Sequence, residues 1–219
     1  MAHIVFDLDG TLINSAPDIQ GVANGLLQEA GLEPITLDQT RSFIGNGAAV
    51  FVERMRKARD VPDDRQAEMH KAFVAWYDAA VTRTVIYPGV ERALDDLASA
   101  GFALGICTNK PIRPCRAVLD HFGLTGRFAT IWGGDSLPVH KPDPAPLHAA
   151  YEALGGDAPR IYVGDSEVDA ETAQRAGVPF LLYTEGYRKT PVALIPHHAA
   201  FSDFAELPAL VAGVLLGAE

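Results

Sequence analysis

The sequence predicts an α/β fold, a Rossmann-like parallel sheet core carrying a small inserted all-helical cap domain. Three observations carry this. From residue 87 onward, short apolar runs alternate with amphipathic stretches, the rhythm of strand–helix–strand units in a parallel sheet. Residues 18–83 have a different texture, charged and of helical period, with no convincing strand among them. Ahead of that block, His3-Ile4-Val5-Phe6 is an apolar, β-branched run that ends at Asp7-Leu8-Asp9-Gly10. A strand before the helical block and strands after it place the block as an insertion into one sheet.

The elements follow in order. Residues 18–30 carry apolar side chains at helical spacing, with Gly31 placed as a C-cap. Residues 48–58 and 63–81 are further helices, the second preceded by Pro62 and amphipathic through Met69, Phe73, Trp76 and Tyr77. The crossings lie near Ser15-Ala16-Pro17 and at residues 83–89, which divides the chain into a core of residues 1–14 and 84–219 and a cap of residues 15–83. In the core, helices are expected over residues 90–100, 112–122, 144–154 and 167–176. Between them, strands are expected over residues 102–107, 130–133, 160–163 and 180–183.

Composition narrows the function classes. At 219 residues and 48% hydrophobic, the chain is long and apolar enough to bury a substantial core. A formal net charge of −10 disfavours nucleic acid and anionic membranes as partners. No run approaches the ~20 apolar residues of a membrane span, and Met-Ala-His-Ile does not open a secretory signal. Cys107 and Cys115 lack the number and spacing of a disulfide framework or zinc site, so a cytoplasmic location is expected. A small phosphorylated metabolite is the expected partner, for a monomer or small homo-oligomer. Cys107 lies in an apolar strand and is expected to be buried and inert. Trp76 and Tyr77 are expected in the cap core, and His140, His197 and His198 are assigned no chemistry.

Chemistry is concentrated where strands end. The first stops at Asp7 and Asp9, the next at Thr108 and Asn109, and a later one at Gly164-Asp165-Ser166-Glu167-Val168-Asp169. A loop after Asp135 holds His140-Lys141-Pro142-Asp143-Pro144. In an open parallel sheet these ends converge on one edge, where ligands bind. Two buried carboxylates need a shared cation or a retained proton. Taken singly, each feature has a plain structural reading: Asp-Gly is a common turn, Lys141 a solvated loop lysine, and Asp165 with Asp169 a helix cap and first-turn acid.

In order, Asp7-Leu8-Asp9-Gly10-Thr11, Thr108-Asn109, Lys141-Pro142 and the segment from Gly164 to Asp169 resemble the four motifs of the haloacid dehalogenase superfamily, in its phosphatase branch with a small helical cap. Within it the chain is most similar to bacterial phosphoglycolate phosphatases, through Ser15-Ala16-Pro17-Asp18, Phe43-Ile44-Gly45-Asn46-Gly47, Thr108-Asn109-Lys110-Pro111 and Lys141-Pro142-Asp143-Pro144-Ala145-Pro146-Leu147. The resemblance implies a Mg²⁺-dependent phosphomonoesterase that hydrolyses 2-phosphoglycolate through an aspartyl-phosphate. Asp7 is then the nucleophile and Asp9 the general acid and base. Thr108, Asn109 and Lys141 hold the phosphoryl group. Asp7, the backbone carbonyl of Asp9 and Asp165 ligate the metal, with Asp169 supporting through a water.

The cap is expected to choose the leaving group through residues 41–47, with Arg41 and Asn46 as its readers. Asp9 argues against dehalogenase chemistry, in which no alcohol needs a proton. Ile44 and Ala48 stand where related sugar-phosphate mutases carry Lys and Arg. Many relatives have Asp-Ser where this chain has Asn14-Ser15, and Asn14 is expected to cap the following helix equally well. Two other functions stay open: the same mechanism on another small phosphate, such as a sugar phosphate or pyrophosphate, and a non-catalytic phosphate-binding scaffold.

Overall fold

The computed structural model describes residues 2–155 and 157–217. The chain opens with β1 (His3–Phe6), and the core sheet continues with β4 (Ala103–Cys107), β5 (Thr130–Trp132), β6 (Arg160–Gly164), β7 (Phe180–Tyr183) and β8 (Ala199–Phe201). These six strands are all parallel, in the spatial order β5-β4-β1-β6-β7-β8. The central strand β1 is flanked by β4 and β6, so the chain's direction of travel across the sheet reverses beside it. That reversal is the switch point at which open α/β sheets bind ligands.

Both faces are covered, as a parallel sheet requires. Ile4 and Phe6 point into one apolar layer with helices α5 (Val90–Ser99), α6 (Ile112–His121) and α9 (Leu207–Leu216). Val5, between them, points the other way, to α7 (Ala145–Ala153) and α8 (Glu167–Ala176). This is the period-two alternation of a strand with apolar residues on both sides. With both faces apolar, polar chemistry is left to the strand ends, and the acids stand at the carboxyl ends.

The helical segment comprises α1 (Ala16–Glu29), α2 (Leu37–Phe43), α3 (Gly47–Lys57) and α4 (Gln66–Tyr77). It has its own apolar cluster, centred on Leu27, Val52, Met55 and Phe73. Its two ends are tied together. The short strands β2 (Ile13–Asn14) and β3 (Val85–Ile86) pair antiparallel, Ile13 with Ile86 and Asn14 with Val85. Beside them the buried carboxylate of Asp18 accepts from the backbone N–H groups of Arg83 and Thr84, the latter at 2.7 Å, and from the Thr84 hydroxyl at 2.6 Å.

Five features differ from the sequence reading. The expected helix over residues 63–81 is a 3₁₀ turn at Asp63–Arg65 followed by α4, which ends at Tyr77. Helix α2 was not expected and takes in the first three residues of the 41–47 segment, and a Thr36/Gln39 capping box starts it. The β2–β3 pair lies at the crossings, and β8 and α9 extend the core beyond the last expected strand. Trp76 is 40% exposed rather than in the cap core, with its ring against Gly25.

Candidate active site at the carboxyl edge of the sheet

Asp7 leaves β1 with its N–H still bonded to the Val163 carbonyl at 2.9 Å, so its position is fixed by the sheet. The Leu8 carbonyl then accepts from the N–H groups of Thr11, Leu12 and Ile13, closing a tight turn. Gly10 is at φ 91°, and a Cβ there would lie 2.5 Å from an oxygen of Asp165. Glycine is therefore required twice over, for its left-handed backbone and for the approach of the two acidic strand ends.

Lys141 is the hub of the buried charges. Its ammonium donates to Asp7 Oδ1 at 2.9 Å, Asp169 Oδ1 at 2.6 Å and the Tyr162 hydroxyl at 2.8 Å. Its backbone is held as firmly: Asn109 accepts from the Lys141 N–H at 3.0 Å and donates to the Lys141 carbonyl at 2.9 Å. Burial disfavours the charged lysine, but Asp169 and Asp7 outweigh it and raise its pKa, so it stays protonated. Burial pushes Asp7 up to about 6, against the pull of Lys141. Asp169 is held below the ordinary carboxylate value: burial opposes its charge, but Lys141 and hydrogen bonds from Lys141, Ser166 and Tyr162 prevail. Its second oxygen accepts from the Ser166 hydroxyl at 2.6 Å and from the N–H groups of Asp165 and Ser166, a capping box at the start of α8. Both oxygens of Asp169 are thus engaged by protein donors.

Asp165 is buried between Thr11, whose hydroxyl donates to it at 3.0 Å, and the Tyr187 N–H, which donates at 2.6 Å. Burial, then Asp169 and Asp7, raise its pKa well above the ordinary range. Asp9 faces the other way. It accepts from the Ser15 hydroxyl at 2.6 Å, and the buried Lys110 ammonium lies 3.1 and 3.4 Å from its two oxygens. Lys110 also meets the hydroxyl of Tyr77, a residue of α4. Asn14 does not cap α1. Its side chain accepts from the Tyr187 hydroxyl at 2.8 Å, and that hydroxyl accepts the first helical N–H, from Ala16, at 3.0 Å.

These groups line one cavity between the sheet edge and the helical segment: Asp7, Asp9, Thr108, Asn109, Lys141, Asp165 and Asp169 all reach it. The opposite wall comes from Ile19, Ile44, Ala48, Phe51, Phe73 and Tyr77, with backbone from Gly45 and Gly47. Core side chains grip this wall's loop. Asn109 donates to the Gly45 carbonyl at 2.9 Å and Lys189 to the Ile44 carbonyl at 3.3 Å.

Arg41 and Asn46 are not among the residues lining the cavity. Helix α2 sets Arg41 one turn from Asp38, its ion-pair partner at 3.8 Å, and the Asn46 side-chain oxygen Oδ1 accepts from Arg54 at 2.9 Å. Sequence reasoning assigned no chemistry to Lys110, Tyr162, Lys189 or Tyr187. Lys110 adjoins Asn109 in the second motif, and Lys189 follows the last expected strand in Gly186-Tyr187-Arg188-Lys189, a signal that could have found it. His140 is exposed and His198 accepts from the Phe180 N–H, so neither supplies chemistry here. Cys107 and Cys115 are free and buried, and burial pushes both thiols up to about 12.

Carboxylate oxygens of Asp7, Asp165 and Asp169 lie within 4.8 Å of one another, all buried. Lys110 is taken up by Asp9, and Lys141 alone cannot balance these three acids. An all-oxygen, surplus-negative cluster of this size fits a hard divalent cation.

A model of the haloacid dehalogenase-like hydrolase family matches residues 4–183, which includes the ends of β1, β4 and β6 that carry Asp7, Thr108 and Asp165. The chain belongs to the haloacid dehalogenase-like hydrolase family. Among curated members of this hydrolase family, a phosphoglycolate phosphatase of Cereibacter sphaeroides (strain ATCC 17029 / ATH 2.4.9) is 50% identical over 218 residues, covering 98% of this chain and all of the relative. One from Rhodobacter capsulatus is 45% identical over 96% of each chain. Among solved structures, a predicted phosphoglycolate phosphatase from Haemophilus somnus 129PT superposes with a TM-score of 0.87 at 31% identity, covering 95% of this chain and 97% of that one. The fold of this haloacid dehalogenase-like hydrolase is therefore shared along nearly its whole length. Among the described residues, no helix is long and apolar enough to cross a membrane.

Proposed function

We propose that this hydrolase is a Mg²⁺-dependent phosphomonoesterase acting on 2-phosphoglycolate, with residues 15–83 serving as a cap over a cytoplasmic enzyme's core site. The observation that carries the chemistry is the buried Asp7 carboxylate 2.9 Å from the Lys141 ammonium, with Asp165 beside it and Asp9 lining the same cavity. The observation that favours a small substrate is the wall opposite. Among its described lining residues only Tyr77 has a polar side chain, so sugar hydroxyls would find almost no partners there.

In the forward step Asp7 attacks phosphorus, forming an aspartyl-phosphate, while Asp9 gives a proton to the departing alkoxide oxygen. In the second step Asp9 takes a proton from the attacking water, which frees phosphate and restores Asp7. Thr108, the Asn109 backbone N–H and Lys141 hold the phosphoryl oxygens. The Asn109 side chain is already committed to Gly45 and Lys141, which leaves its backbone for this role. Asp7, Asp165 and the Asp9 backbone carbonyl would hold a Mg²⁺ ion, which would supply positive charge to the phosphoryl group. Asp169, with both oxygens occupied by protein donors, supports Lys141 and the turn carrying Asp165.

Phosphate release from a panel of small phosphates, with Mg²⁺ and then with EDTA, tests this reading. Preference for 2-phosphoglycolate, lost on chelation, is expected. Equal rates on glycerol and sugar phosphates would remove the substrate assignment, and EDTA-resistant turnover would remove the metal.

A further inference from the structure

Asp9, as general acid, must come within about 2.6–3.2 Å of the ester oxygen it protonates. The Lys110 ammonium is 3.1 and 3.4 Å from the two Asp9 oxygens, so it lies beside the leaving group rather than beside the transferring phosphoryl group, where Lys141 sits. In 2-phosphoglycolate the carboxylate is attached to the carbon that bears the ester oxygen. A leaving group this short brings its carboxylate within reach of the same ammonium that touches Asp9.

The surroundings require such a partner. An unpaired carboxylate against Ile19, Ile44, Phe51 and Phe73 would lose its hydration without compensation. Lys110 is buried, lines the cavity, and has Asp9 as its ionic partner among the described residues. Tyr77 reaches from the helical segment to Lys110 and fixes the ammonium on the cap side of Asp9. Lys189 also lines the cavity, but it is exposed and is bonded to the Ile44 carbonyl at 3.3 Å.

We propose that Lys110 is a specificity-determining residue that pairs with the carboxylate of the leaving group and so selects short phosphomonoesters whose carboxylate is attached to the carbon that bears the ester oxygen. This rests on the phosphatase reading above and adds to it the residue that recognises the glycolate moiety. Tyr77 is a positioning residue that acts through Lys110.

The test compares kcat/KM for 2-phosphoglycolate and for ethyl phosphate, which keeps the two-carbon leaving group and lacks the carboxylate. In Lys110→Met the preference for 2-phosphoglycolate falls at least tenfold relative to the wild type, chiefly through KM, because ethyl phosphate loses only the contribution Lys110 makes through Asp9. Lys110→Arg retains a preference for the carboxylate, and inhibition by glycolate weakens at least tenfold in Lys110→Met but not in Lys110→Arg. If both substrates decline equally in Lys110→Met and glycolate inhibition is unchanged, Lys110 only positions Asp9 and the proposal is overturned. Loss of preference in Lys189→Met instead would place carboxylate recognition at the cavity mouth and overturn it too. A wild type that does not prefer 2-phosphoglycolate to ethyl phosphate would reject the substrate reading itself, a result distinct from an unchanged ratio in the variant.

Discussion

Asp7 and Lys141 show how burial and pairing set the character of single residues. The same desolvation acts on both, but Lys141 gains two acidic partners and stays charged, while Asp7, shared with Asp169 for that one cation, is pushed up to about 6. The sign of the consequence is definite. The metal-free folded protein binds this proton more tightly than the unfolded chain does, whose value is the ordinary 3.8. The cost of burying ionised Asp7 is thus fully present above pH 6 and disappears as the pH falls through 6 toward 3.8. Asp165, raised for the same reason, adds to it. A divalent cation must displace these protons, so its affinity is expected to weaken below pH 6, by roughly tenfold per unit for each proton released. Calorimetric titration with Mg²⁺ at pH 5 and pH 7 checks this, and equal affinities would contradict it. Asp7, Asp9 and Asp165 were legible in the sequence because they stand at strand ends, whereas Lys141, in a loop, was legible only through the resemblance of the ordered motifs around it. Tyr162 was not, since a tyrosine inside an apolar strand carries no sign that its hydroxyl meets Lys141 and donates to Cys107 or Asp169.

At the scale of elements, regular periodicity decided what could be read. The strands around the site and the helices between them have clear two- or 3.6-residue patterns, and each lies within a few residues of its expected place. Helix α9, Leu207-Pro208-Ala209-Leu210-Val211-Ala212-Gly213-Val214-Leu215-Leu216, is apolar all round and presents no face to recognise. Strand β8 is Ala199-Ala200-Phe201, and its two alanines give it little of the β-branched or aromatic character that marks the equally short β5, Thr130-Ile131-Trp132. Helix α2 did carry a signal, its capping box, but a seven-residue helix with one buried side chain has little apolar period. That helix is also why Arg41 turns to Asp38 instead of the cavity. The clasp joining the ends of the helical segment depends on pairing 66 positions apart, which no local pattern encodes. Asp18→Ala leaves the Thr84 N–H, with others, without its buried acceptor, and is expected to cost about 3 kcal/mol. Urea unfolding measures it; a change below about 0.5 kcal/mol would show that the clasp is not a structural tie.

Across the whole molecule, a chain of net charge −10 gathers Lys110, Lys141 and Lys189 around one cavity, two of them buried against acids. The sheet fixes Asp7, Thr108 and Asp165 at adjacent strand ends. The helical segment closes over them with apolar side chains and a loop whose carbonyls are held from the core by Asn109 and Lys189. Such an arrangement excludes water from the first chemical step while leaving one charged group to meet the leaving group. The direct test is turnover of 2-phosphoglycolate by the wild type and by Asp7→Asn, both with Mg²⁺. The wild type should release phosphate, and Asp7→Asn should be slower by at least about a thousandfold, since the nucleophile is lost while the fold is kept. Turnover by Asp7→Asn within tenfold of the wild type would contradict the assignment of Asp7 and the mechanism built on it.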